Sequence, residues 1–185
     1  MQRINAIKHE VATGKTRELL DGVKAKLGFV PNMMATMASS PAVLEAYLNF
    51  GDALGSSLSA KVRERIALAV AEINGCEYCA AAHSAIGKMS GLSEDEIESA
   101  RRGGSEDPKA DAAVKFAKAL VVSRGHASTA EYDAVKNAGH SEKEISEIVA
   151  NVALNILTNY FNITAGTEVD FPAVEFPLAS KSAHA

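Results

Sequence analysis

Apolar residues recur along this chain at three- and four-residue intervals, the spacing of a helix face, and no apolar/polar alternation runs longer than a few residues. Thr16–Leu27 (TRELLDGVKAKL) reads as a first amphipathic helix, stopped by Gly28 and a Phe29-Val30-Pro31-Asn32 turn. Met33, Met34 and Met37 then predict a short apolar turn of helix. Ser40-Pro41 supplies an N-cap and a first-position proline for a helix reaching Leu54, before Gly55. Ser59 caps the next segment, Lys61 to Ile73, in which Ile66 through Ala71 are apolar on every face. A helix apolar all round is a central one.

Asn74-Gly75 interrupts that segment, and a new helix is expected from Cys76 to Met89. Ser93/Glu96, Ser128/Glu131 and Ser141/Glu144 each form a capping-box pair. They head helices running to Arg102, over Thr129–Asn137 and over Glu142–Ala165. Asp107-Pro108 starts a further helix, Lys109–Ser123. The expected fold is therefore all-α, a single domain over residues 1–185 of roughly eight helices. The tail, residues 168–185, carries Phe171, Pro172, Phe176 and Pro177 and reads as an extended arm. It is expected to pack on a neighbouring subunit, with covering its own core as the alternative, and its last residues are expected to be disordered.

Composition narrows the partners. With 47% hydrophobic and 23% charged residues a normal core can form, and with 5% aromatics and no Trp it must be built from small and aliphatic side chains. The charge is −4, from 19 basic and 23 acidic residues, with no basic run, which argues against a nucleic-acid partner. The first residues, MQRINAIKHEVATGK, have no apolar stretch of the secretory kind. The uncharged run Ile148–Thr167 approaches membrane length, but Asn151, Asn155, Asn159 and Asn162 make it a buried helix instead. That stripe of amides fits helix packing, a pocket wall or a subunit contact. A cytoplasmic protein is expected, in which the two cysteines are not structural staples.

Those cysteines carry the chemistry. On a helix Cys79 lies about 60° round from Cys76 and His83 about 20° from it, so the three share one face. Residues three apart have Cα atoms roughly 5 Å from each other, within disulfide range. Helix-start N–H groups favour a thiolate, an effect that alone prefers Cys76, but His83 one turn beyond Cys79 makes Cys79 the better candidate for proton removal. If the chain reverses at Asn74-Gly75, Glu64 lies about 16 Å back along one helix and His83 about 12 Å along the other, so the two can meet. Glu64, His83, Cys79 and Cys76 then form one chain: a carboxylate orienting an imidazole that serves a thiol beside a second thiol. Glu64 also has Arg63 and Arg65 beside it as ion-pair partners. Tyr78 and Glu72 are further candidates for the proton relay, Tyr78 being equally readable as a core ring with its hydroxyl at the surface. His9, His126, His140 and His184 have no partners at readable spacing and are read as structural or surface residues.

Glu64, eleven residues, Cys76, two residues, Cys79, three residues, His83: this spacing resembles the motif of the alkylhydroperoxidase D-like branch of the carboxymuconolactone decarboxylase superfamily. The preceding stretch LGFVPNMMATMASSP is similar to that of its peroxidase-related members. The resemblance covers roughly residues 25–165 and implies an all-helical, homo-oligomeric protein, a trimer or a dimer or hexamer, with thiol-dependent peroxidase or disulfide-reductase activity. It implies Cys79 as the peroxide-reacting cysteine, Cys76 as its resolving partner, and Glu64 and His83 as the proton relay. Family members place a histidine just before the second cysteine, where this chain has Tyr78.

The expectation is an alkyl hydroperoxide reductase with a CxxC disulfide, regenerated by an external dithiol such as a lipoyl or thioredoxin-like protein. It needs no cofactor and no metal. Alternatives are a thiol-independent lyase of the decarboxylase type, a disulfide-reductase adaptor that never meets a peroxide, and a metal module on Cys76, Cys79, His83 and an acidic ligand. The last is cramped for a tetrahedron on one helix.

Overall fold

The computed structural model describes residues 1–178, which form nine α-helices and no strand. After a 3-10 turn at His9–Val11 come α1 (Gly14–Leu27), α2 (Asn32–Met37), α3 (Pro41–Leu54), α4 (Ala60–Asn74) and α5 (Glu77–Met89). Then follow α6 (Glu94–Arg101), α7 (Pro108–Val122), α8 (Thr129–Asn137) and α9 (Glu142–Ala165). The helix starts are where the capping signals put them. Ser93, Ser128 and Ser141 each complete a reciprocal capping box, and Ser59 accepts the Val62 N–H. Ser40 is an exception: it occupies the N-cap of α3 without a side-chain bond, and Pro41 alone sets that start.

The central helix is α4. Every residue from Arg65 to Ala71 is buried, and the helix packs against α5, α6, α7 and α9. Ala67, Ala69 and Ala71 let those neighbours approach closely, while Ile66, Leu68 and Val70 each contribute roughly 1.5–3 kcal/mol of burial. The apolar interior divides around it. Ile66 and Val70 join Phe116, Ala117, Val135, Ile148 and Val152 from α7, α8 and α9. Ala71 joins Leu20, Met37 and Leu44, together with Cys76, Tyr78 and Cys79. The cysteines thus sit in a wall of the core.

The described part of the arm makes contacts with its own chain, the second of the two courses open to it. Asp170 accepts the Asn32 N–H, and Phe171 stacks edge-on against Phe29 and Tyr78. Further on, Arg101 donates to the Glu175 carbonyl and lies over the Phe176 ring, and Leu178 N–H bonds Glu72. The reason is local: Asn32 at the start of α2, the buried Arg101 and the ring of Tyr78 offer partners that an extended Phe/Pro segment satisfies without a second subunit. The final residues expected to be disordered, His184 among them, lie outside the described residues. Among those described, no helix is long and apolar enough to cross a membrane, because the asparagines of α9 break its hydropathy.

Candidate active site

The hairpin of α4 and α5 creates the site. Gly75 ends α4 with φ +72°, the left-handed conformation that glycine adopts without strain, and the chain turns straight into Cys76, the N-cap of α5. The Cys76 sulfur accepts the Cys79 N–H at 3.3 Å, so a thiol takes the capping place usually held by a hydroxyl or carboxylate. Both cysteines are free and buried, Cys76 1% and Cys79 3% exposed.

Glu64 and His83 meet directly across the hairpin. His83 Nδ1 lies 2.8 Å from Glu64 Oε2, with neither residue fully exposed. Arg63 and Arg65 do not compete for the carboxylate: Arg63 donates to the carbonyls of Leu54, Gly55 and Leu58 at the end of α3, and Arg65 pairs with Glu96 at 2.6 Å. With Nδ1 committed to Glu64, Nε2 is the nitrogen left for a thiol or a substrate. Burial works against the imidazolium, yet the charge and hydrogen bond of Glu64 outweigh it and hold the His83 pKa above the ordinary imidazole value.

The two thiols are driven apart. Burial opposes ionisation of Cys79, but the hydrogen bond from Cys76, the amide of Asn162 and the charge of His83 overcome it and bring Cys79 down to about 7. The thiol of Cys76 is pushed up, first by its hydrogen bond to Cys79 and then by burial. Its N-cap position pulls the other way and loses: only one sulfur of a buried pair carries the charge, and the one with a donor on each side keeps it.

Tyr78 and Glu72 stand outside this chain of groups. The Tyr78 hydroxyl is buried rather than at the surface. It accepts the Met33 N–H at 3.1 Å and interacts with Asp170, and burial pushes its pKa up. Glu72 is held by Arg101 at 2.8 Å and by the Leu178 N–H, on the side of the hairpin covered by the arm. Of the other histidines, His9 pairs with Asp21 at 2.6 Å and the buried His140 bonds the Lys109 carbonyl at 2.9 Å.

Two cavities meet at His83. One, of about 200 Å³, is lined by apolar side chains that include Met33, Met34 and Phe171, and it reaches Cys79. Its rim is formed by Leu27, Phe29, Ile86 and Met89, all exposed. Cys76 does not line it. The other, of about 150 Å³, is polar and holds Arg63, Glu64, Asn151 and Asn155. Tyr47 and Thr158 stand in the partition with His83. Burial, with the charges of Cys79 and Glu64, pushes the Tyr47 pKa up to about 12, so its hydroxyl stays protonated beside the site. Nothing in the sequence singled out Tyr47, and Asn162 showed only as part of a stripe. Among the described residues no group of three or more His, Cys, Asp or Glu is arranged to hold a metal ion.

The sequence profile of the Carboxymuconolactone decarboxylase family matches residues 41–122, a span that contains Glu64, Cys76, Cys79 and His83. A search of curated proteins finds no match. Among solved structures, one similar chain is a peroxidase-related protein with an alkylhydroperoxidase AhpD core from Ralstonia eutropha JMP134. It is 24% identical, with 91% of this chain and 92% of that one covered and a TM-score of 0.80. A peroxidase-related protein from Silicibacter sp. TM1040 is 22% identical over 90% of this chain and 92% of that one, at 0.77. The debrominase Bmp8 is 22% identical over 90% and 91%, at 0.77. A cysteine-to-alanine form of that debrominase was solved with 2,3,4-tribromopyrrole. At these identities the likeness is one of fold.

Proposed function

We propose, from the match of residues 41–122 to the Carboxymuconolactone decarboxylase family and from the AhpD-like fold, that the chain is a thiol-dependent peroxidase that reduces organic hydroperoxides in antioxidant defence. The observation that carries the reading is the Cys79 sulfur, lowered to about 7 and lining an apolar cavity beside a histidine already paired with a glutamate.

The Cys79 thiolate attacks the terminal oxygen of the hydroperoxide, the O–O bond breaks, and the departing alkoxide takes a proton from His83. Cys79 is left as a sulfenic acid, two electrons more oxidised. With the thiolate gone, the largest influence that kept Cys76 protonated is gone too, and burial alone still opposes its ionisation. Cys76 gives its proton to the His83–Glu64 pair and attacks the Cys79 sulfur, water leaves, and a Cys76–Cys79 disulfide forms. An external dithiol, such as a lipoyl or thioredoxin-like protein, returns two electrons and two protons by exchange.

The cavity sets the substrate class. A protein cavity of about 150 Å³ holds benzene, so about 200 Å³ suits a small alkyl or aryl hydroperoxide. Such a substrate is expected to react at least tenfold faster than hydrogen peroxide, because each buried methylene is worth about 0.8 kcal/mol. Cys79→Ser abolishes peroxide consumption and Cys76→Ser permits one turnover without recycling. Sustained consumption by both variants overturns the thiol mechanism, whereas a lyase activity that survives alkylation of both cysteines favours the thiol-independent reading. An adaptor role without peroxidase activity is the reading left if the disulfide exchanges with dithiols but no hydroperoxide oxidises the pair.

A second reading has one observation in its favour. Phe29, Tyr78 and Phe171 line the same cavity, and a debrominase shares the fold. Reductive removal of halogen from a small aromatic ring would use the same two thiols and release halide, which is measured directly. The homo-oligomer implied by the family has a surface to use, since Val149, Leu157, Tyr160 and Ile163 lie exposed along one side of α9. Light scattering tests it: a mass of several chains supports assembly, and a monomer at working concentration removes it.

A further inference from the structure

Four asparagines line the buried face of α9, and two of them close on the reactive sulfur. Asn162 donates Nδ2 to Cys79 Sγ at 3.3 Å, while its own Oδ1 is buried without a partner. Asn159 is fully buried. Its Oδ1 accepts from Asn74 Nδ2 at 2.9 Å, which fixes the amide and leaves its Nδ2 as an unpaired donor within interaction range of the Cys79 sulfur. A buried polar atom without a partner costs about 1–3 kcal/mol, and native interiors hold few of them. Here one donor and one acceptor stand on neighbouring turns of one helix beside a nucleophile. Leucine would fill the same shape without that cost and with better helix propensity.

We propose that Asn162 and Asn159 form an amide cradle for Cys79, in which Asn162 Nδ2 holds the thiolate and the unpaired Asn159 Nδ2 and Asn162 Oδ1 receive the oxygen the sulfur gains on oxidation. This rests on Cys79 being the oxidised thiol. The oxygen comes from the hydroperoxide, accepts from Asn159, donates its hydrogen to Asn162 Oδ1, and leaves as water when Cys76 closes the disulfide. Asn162 is then a catalytic residue, because it touches the reacting atom. Asn74, at the hairpin turn, is a positioning residue that acts through Asn159. The ionisable groups about the sulfur are Cys76 at the N-cap of α5, Tyr78 and His83 on α5, Glu64 behind His83 on α4, and Tyr47 on α3. From α9 the sulfur meets amides.

The test is the thiolate absorbance of Cys79, titrated in a Cys76→Ser background so that a single thiol is read. Asn162→Leu is expected to raise its pKa by about one unit, the worth of a charge-assisted hydrogen bond. Asn159→Leu gives a smaller rise, and cuts several-fold the sulfenic acid trapped after one equivalent of hydroperoxide. Asn151→Leu, the same exchange on the same stripe but bonded to Ser57 and the Glu147 carbonyl, leaves the pKa in place. If Asn162→Leu does not fold, Asn162→Asp keeps the shape and, by adding a negative charge, raises the pKa further. A folded Asn162 variant whose pKa does not move, or an equal shift in Asn151→Leu, overturns the cradle. The titration contains no peroxide, so it is read whether or not the chain turns one over. Absence of hydroperoxide consumption by the unsubstituted chain strikes the peroxidase reading instead.

Discussion

At Cys79 an apolar wall that disfavours charge competes with a thiol, an amide and an imidazolium that favour it, and the donors win. The consequence is a pH dependence of definite sign. The reactive form pairs a deprotonated Cys79 with a protonated His83, so the first oxidation step accelerates as pH rises through about 7 and declines only at higher pH, where His83 gives up its raised proton; rapid-mixing kinetics on the reduced protein read the rise. A rate that falls over that interval would place the needed proton elsewhere. Glu64→Gln removes the carboxylate charge that raises His83, and about a 10²-fold loss in kcat is expected with KM little changed, since the carboxamide sits at the polar cavity rather than the apolar one. The meeting of Glu64 with His83 was legible in the sequence because two helical rises from one turn fix it. The contact of Asn162 with Cys79 joins residues 83 apart and depends on how α9 lies against α5, which no local pattern encodes.

At the level of elements, Gly75 governs the geometry. Its φ of +72° is one that other residues adopt at a cost, and a Cβ there meets nothing within 4 Å. Gly75→Ala therefore isolates backbone strain from crowding. A loss of about 1 kcal/mol in urea unfolding is expected, with a larger fractional loss of activity because Glu64 and His83 lie on opposite sides of the turn. The helix boundaries were readable because Ser, Asp, Pro and Gly punctuate nearly every one. The course of the arm was not. Spaced Phe and Pro residues say that a segment is extended, but whether it covers its own chain depends on partners far away in sequence: Asn32, Glu72 and Arg101.

Across the whole molecule, α4 contributes to all three apolar clusters of the core and the arm closes the cavity. Leu68→Ala in α4 is expected to cost 2–5 kcal/mol by denaturant unfolding, the range for a fully buried leucine. Phe171→Ala touches no thiol, yet it removes a cavity wall and the ring packed on Tyr78. It should raise KM several-fold for small hydroperoxides and relax the preference for them over bulkier ones. Oxidation through the cysteine pair is read by counting thiols in the reduced protein before and after one equivalent of a small organic hydroperoxide. Both cysteine thiols of the chain are expected to disappear as the peroxide is consumed, and a dithiol to restore them. Thiols that remain fully titratable while the peroxide persists would contradict that route.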